Sequence, residues 1–189
     1  MRNSLADVVA AALRVLDAQG LEGCSMRRVA AELDVQPSAL YHHVPNKQSL
    51  LALMADEIVR GVGAVTDDDP RRLCITLRDA MLAVHDGADV VATAAAFRLG
   101  HSRVEDRLAE LVGRDGARTL LLYTFGHAQS TQTHLQAAAF GALVASGSGA
   151  AAEGVAGAPG QDSDPGADLE SSYERGLDII LAGLTSLAP

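Results

Sequence analysis

The stretch SMRRVAAELDVQPSALYHHVPNK, residues 25–47, decides the fold of this chain, because its spacing predicts two short helices joined by a tight turn. Ser25 stands as N-cap of a first helix over 26–33, its hydroxyl placed to accept a free backbone N–H. Val29, Ala30 and Leu33 fall on one face of that helix. Asp34-Val35-Gln36 make the turn, and Pro37 opens the second helix where a missing N–H costs nothing. The second helix ends near His43. Ala30 is small enough to let the two helices cross closely, and Val35 and Leu40 plug the space between them. The outer face then carries Ser38, Ala39, Tyr41, His42 and His43, followed by Lys47. Small, aromatic and hydrogen-bonding groups suit a helix that enters a major groove about 12 Å wide.

The candidate DNA-binding set is therefore Ser25, Arg27, Arg28, Gln36, Pro37, Ser38, Ala39, Tyr41, His42, His43 and Lys47. Arg27, Arg28 and Lys47 flank the reading face, where cations neutralise phosphates and fix register without reading sequence.

Outward from this unit the periodicity is helical everywhere, and no alternating strand pattern appears. Upstream, Leu5, Val8, Val9, Ala12, Val15 and Leu16 recur at helical spacing until Gly20. Downstream, Asn46 is placed to cap a helix running through Leu50, Leu51, Met54, Ile58 and Val59 to about Val65. An acidic run, 67–69, precedes Pro70 and the stripe Leu73, Leu77, Met81 and Val84 or His85, which Asp86-Gly87 breaks. Further helices are expected over 88–97, 103–112, 115–144 and 168–187, the last presenting Leu169, Tyr173, Leu177, Ile180, Leu181 and Leu184. Residues 145–167, rich in Gly, Ala, Ser and Pro, bury too little apolar surface to offset their ordering entropy and read as a mobile loop. The expected architecture is all-α: a three-helix DNA-binding domain over 1–46, a connecting helix over 47–66, and a helical ligand-binding and dimerisation domain over 67–189.

Composition agrees with this. The chain has 189 residues, 48% of them hydrophobic, enough for a core. No run of eighteen apolar residues and no signal-peptide pattern are present, so a cytoplasmic protein with no membrane partner is expected. Cys24 and Cys74 lack metal spacing and read as buried thiols. A net charge of −9 argues at first against DNA. Its distribution answers the objection: residues 1–64 hold six basic against seven acidic groups, while the remainder holds nine against seventeen. Lys47 is the only lysine, against fourteen arginines. Few phosphate contacts per subunit imply a modest salt dependence, which dimerisation doubles.

The run ALYHHVPNK (39–47) with Leu50-Leu51 resembles the TetR-type transcriptional repressors, and most of all their tetracycline-repressor branch. HDGADV (85–90) and YERGLDIILAGL (173–184) extend the likeness over nearly the whole chain. Asp34 occupies a turn position usually given to glycine, and aspartate is among the few residues that tolerate a left-handed backbone. The resemblance implies a homodimer in which the last two helices join those of a second subunit in a four-helix interface. Such a dimer reads the halves of a palindromic operator spaced by roughly 34–36 Å.

A small-molecule site is expected on the long helix at Tyr123, His127, Thr131 and His134, with Ser130 beside them. Leu73, Leu77, Met81, His85 and Phe97 would face it, giving an apolar wall with a few polar groups. The same stripe equally suits satisfied polar residues in a core or a dimer interface. In tetracycline-binding members of the family, a histidine and a Thr-Arg-Pro turn after Asp-Gly-Ala grip a magnesium-chelated drug. Here Val91 and Ala94-Ala95-Ala96 stand at those places, Leu73 replaces an asparagine and Gly63 a further histidine. The departure implies a more apolar effector. No cofactor and no metal are expected, His127 and His134 being seven apart rather than four. Two other readings stand beside a ligand-responsive repressor: a DNA-binding regulator without a small-molecule ligand, and an enzyme using His127 or His134 as base. The enzyme reading lacks an accompanying nucleophile, oxyanion turn or paired carboxylate.

Overall fold

In the computed structural model, the described residues are 4–62, 68–97, 103–147 and 165–187. Among them are eight helices and no strand: α1 (Leu5–Gly23), α2 (Met26–Glu32), α3 (Pro37–Leu40), α4 (Lys47–Ile58), α5 (Pro70–Leu82), α6 (Gly87–Ala96), α7 (Arg103–Gly147) and α8 (Pro165–Leu187). The all-α class read from periodicity is the class observed. No helix among the described residues is long and apolar enough to cross a membrane. The chain divides into two compact units, residues 1–128 and 129–189, and α7 contributes to both. Most of the expected loop, 148–164, lies outside the described residues.

The first unit is built on α1. Ser4 and Asp7 close a capping box at its start, Asp7 N–H donating to Ser4 Oγ at 3.2 Å and Ser4 N–H to Asp7 Oδ2 at 2.7 Å. That second bond holds the Asp7 carboxyl below the usual carboxylate range. Val8, Val9, Ala11, Ala12, Val15 and Leu16 are buried, whereas Leu5, expected on the same stripe, is exposed. Gly20 does not end the helix as expected. It breaks it, at φ 68° and ψ 178°, and one further turn runs on to Gly23. Both values lie outside the helical region, and the positive φ is one that glycine adopts without strain.

α1 packs on α2 and α4, α2 on α3, α4 along α6, and α5 on α6. Leu50, Leu51, Met54 and Ala55 are the buried residues of α4, each leucine worth about 1.5–3 kcal/mol of burial. The helix starts where expected, Asn46 Oδ1 accepting from Ser49 N–H at 2.8 Å. It ends at Ile58 rather than near Val65. Three-residue bonds, Arg60 N–H to Glu57 and Val62 N–H to Val59, tighten the chain there and turn Val62 into the core.

Asp69 caps α5 by accepting from Arg71 N–H at 2.9 Å, ahead of Pro70. Its buried face comprises Leu73, Cys74, Leu77, Arg78 and Met81, spaced as one helical stripe. Between α5 and α6, Asp86 is left-handed (φ 54°) and Gly87 is pressed against α5: a Cβ there would lie 2.4 Å from the Met81 carbonyl oxygen. α7 is broken at Gly113 (φ 76°, ψ 166°), which yields the two helices expected on either side of that position. In the second unit, Thr131, Gln132, Tyr173 and Leu177 are buried, while Leu135 and Ile179 are exposed.

Two outcomes follow from this packing. Gly87→Ala forces backbone apart and is expected to cost about 1–3 kcal/mol, read as a lowered midpoint in thermal melts. Burial raises the Cys24 thiol pKa and pushes that of Cys74 up to about 11. Neither cysteine should react with a thiol reagent at pH 8 until denaturant is added, when both should.

Candidate functional site

The reading unit is set by its caps and its plug. Ser25 Oγ accepts from Arg28 N–H at 3.3 Å, so this hydroxyl is engaged in capping α2. Asp34 takes the left-handed conformation expected of it (φ 52°), and Val35 N–H turns back to the Ala30 carbonyl at 3.0 Å. α3 has only four residues, Pro37–Leu40, and the chain continues to His43 as a tight turn, shorter than the helix expected to that point. Leu40 is buried beneath it, and Val35 is half-buried. Val44, whose N–H bonds the Leu40 carbonyl at 2.8 Å, is fully buried as well. Sequence reading did not assign Val44 to the plug. Its signal was a single aliphatic residue four beyond Leu40, among polar neighbours.

Above this plug Gln36, Ser38, Ala39, Tyr41, His42 and His43 are all exposed, and Pro37 is half-buried at the first helical position. Tyr41 is 53% exposed, a large amount for an aromatic ring. Arg27 and Arg28 are exposed on α2. Arg14 on α1 pairs with Glu32 on α2 at 2.8 Å, an exposed contact worth about 0–1 kcal/mol. Lys47 is half-buried at the start of α4. Its Nζ donates to the Leu21 carbonyl at 3.4 Å, and its charge acts on the buried Cys24 thiol against the larger effect of burial.

The end of α1 receives a second contact, from the α5–α6 corner. Leu21 N–H donates to Asp86 Oδ2 at 2.7 Å, and His85 Nδ1 lies 2.9 Å from the Asp17 carbonyl oxygen. A carbonyl only accepts, so the ring nitrogen carries the hydrogen in this arrangement. A side chain on Gly20 would collide with the carboxylate, its Cβ lying 2.9 Å from Asp86 Oδ2. His85 thus meets α1 rather than the long helix on which its expected partners lie.

Of the other residues expected at a small-molecule site, Leu73, Leu77 and Met81 are buried on α5. Tyr123 and His127 are half-buried on α7, with ring centroids 5.9 Å apart and planes tilted by 54°. Phe97, at the end of α6, is 66% exposed. Ser130, Thr131 and His134 belong to the second unit, where Thr131 is buried and the other two are exposed. Two polar residues that sequence reading missed are buried in the first unit: Arg78 and Thr124. Burial raises the Tyr123 hydroxyl pKa, and the nearby Arg78 charge opposes that rise. The signal for Arg78 was its spacing, four beyond Cys74 and three before Met81 on the α5 stripe. Among the described residues no three His, Cys, Asp or Glu side chains gather as a metal site.

A capped helix-turn-helix carried by a helical body defines a class, the helix-turn-helix regulators. The family model for bacterial regulatory proteins of the tetR family matches residues 8–54. An uncharacterized HTH-type transcriptional regulator of Mycobacterium bovis is 32% identical over 151 residues, 75% of this chain and 70% of that protein. The chain belongs to the tetR family of bacterial regulatory proteins. The tetracycline repressor protein class E of Escherichia coli is 36% identical over 46% of this chain and 45% of its own length. The chain thus spans less than half of that relative. Mycobacterium smegmatis BioQ superposes with a TM-score of 0.77 at 29% identity, covering 98% of this chain and 100% of that one. BioQ has also been solved with its double-stranded DNA operator, and that structure gives a TM-score of 0.73 at 29% identity over 96% of this chain and 98% of the other.

Ser25→Ala removes the cap without touching the plug. It should lower stability by about 1 kcal/mol, measured by urea unfolding, with the exposure of Tyr41 in the native state unchanged.

Proposed function

We propose that this protein is a ligand-responsive transcriptional repressor that binds a palindromic operator as a homodimer and leaves it when a small, fairly apolar effector binds. The observation that carries this reading is the outward row Ser38, Ala39, Tyr41, His42 and His43, held in place by the buried Leu40 and Val44. These side chains are exposed, and their size and chemistry match the edges of bases in a major groove. The operator complex of BioQ supports a DNA duplex as partner. Arg27 and Arg28 supply the phosphate contacts on α2, with register set by the Ser25 cap.

The effector reading rests on the buried apolar face of α5, Leu73, Leu77 and Met81, and on the half-buried pair Tyr123 and His127 of α7. A ligand bound there shifts operator affinity only by as much as it prefers one conformation of the protein to the other. α4 packs along α6 and starts four residues beyond the reading turn at His43, so a displacement of α6 reaches the operator surface through α4.

The test is a gel shift on a duplex selected from a random pool by the wild-type protein. Tyr41→Ala and His42→Ala should change base preference, while Arg28→Ala should weaken all sequences alike and lower the salt slope by about one per subunit. Undiminished binding by all three variants removes the assignment of the reading face. For the effector, a panel of apolar metabolites is screened by thermal shift and then by release of the duplex. Intact operator binding with no stabilising compound would favour a regulator that takes no small molecule.

A further inference from the structure

At the reading turn one residue has its main chain held and its side chain left over. At the starts of α1, α2, α4 and α5, the side chains of Ser4, Ser25, Asn46 and Asp69 each accept a backbone N–H of the first turn. Gln36 stands at the same place before α3, in extended backbone (φ −71°, ψ 145°), yet its side chain makes no such bond. Pro37 follows at the first helical position and has no N–H to be capped. The main chain around Gln36 is nonetheless fixed. Val35 N–H bonds the Ala30 carbonyl at 3.0 Å, and the Gln36 carbonyl accepts from Ala39 N–H at 2.9 Å. Proline also confines the residue before it to extended backbone. The side chain itself is exposed.

We infer that Gln36 is a specificity-determining residue of the operator contact, its amide reading the major-groove edge of an adenine through a pair of hydrogen bonds. The inference rests on the proposed DNA-binding role and adds to it the identity of one base. The first residues of a recognition helix are the ones that meet base edges. A carboxamide sets an acceptor oxygen beside a donor NH2. Adenine answers with its N7 acceptor and N6 donor, whereas guanine offers two acceptors, cytosine a donor and thymine an acceptor. Among the exposed side chains of the reading turn, Gln36 alone carries such a pair. Ser38 and Tyr41 offer one hydroxyl each and Ala39 none. The two ring nitrogens of His42 and of His43 diverge, so that one base edge cannot engage both. A fixed main chain lowers the entropy lost when the amide is engaged, which favours discrimination by this residue.

The test is selection of duplexes from a random pool by the full-length protein, as wild type and as Gln36→Ala and Gln36→Ser. Wild type should return an adenine in each half-site whose replacement by any other base weakens binding about tenfold or more. Both variants should select the same half-site with that one position relaxed to within about twofold. Putting 7-deazaadenine there, which lacks the N7 acceptor, should weaken wild type about fivefold and leave the variants unchanged. Serine is a preferred N-cap, so Gln36→Ser should raise the thermal midpoint while losing the discrimination. A glutamine that served only the fold would not give that split, and Gln36→Ser carries the test if Gln36→Ala does not fold. A relaxed position that wild type fills with a base other than adenine, an equal loss on all duplexes, or no relaxed position overturns the inference and leaves the DNA-binding role standing. Wild-type protein that selects no duplex overturns both.

Discussion

One hydrogen bond that α1 does not make with itself organises the first unit. Between Asp17 and Leu21 the helical ladder is interrupted, and a buried or half-buried backbone group left without a partner costs about 1–3 kcal/mol. The α5–α6 corner answers both groups, through Asp86 and His85. The arrangement constrains three segments at once. α1 must break at Gly20, the corner must turn left-handed at Asp86, and Gly87 must have no side chain. The burial of Val15 and Leu16 on α1 and of Leu50 and Met54 on α4 then stabilises a unit whose relative placement this polar junction has fixed. Apolar packing supplies most of the free energy, but it is non-directional. The junction supplies direction.

The junction also bears on how the charge of the chain is used. Six basic groups serve residues 1–64. Arg14 is paired with Glu32, Arg60 with Glu57, and Lys47 with a carbonyl oxygen. Arg27 and Arg28 are left exposed beside the reading turn. On the proposed function, a surface so sparing in cations makes discrimination depend on groups that touch bases rather than on general attraction to the polyanion. The excess of acid over base lies beyond residue 64, outside the reading unit.

Much of this was legible in the sequence because it is local. Ser25, Asn46 and Asp69 announce helix starts by residue type, and Pro37 and Pro70 confirm two of them. The break of α7 at Gly113 and the left-handed Asp34 follow from local backbone chemistry as well. What was not legible is what depends on residues distant in sequence. After the end of α4 at Ile58 the chain turns Val62 inward, and Val44 is buried together with Leu40. His85 looked like one more polar group on an apolar stripe, yet its partner is a carbonyl 68 residues earlier. Arg78 illustrates a different limit. A stripe marks which face of α5 turns inward, but an arginine on that face reads as an exception until the structure shows it buried beside Tyr123.

α3 is a single turn of four residues, far below the length at which a helix holds itself together in water. The reading surface therefore has no shape of its own and borrows it from Leu40 and Val44. For the history of such a protein this separates recognition from contact. Substitutions beneath α3 can re-aim Tyr41 and His42, and on the proposed function so change which sequence is preferred, while the exposed residues themselves stay the same.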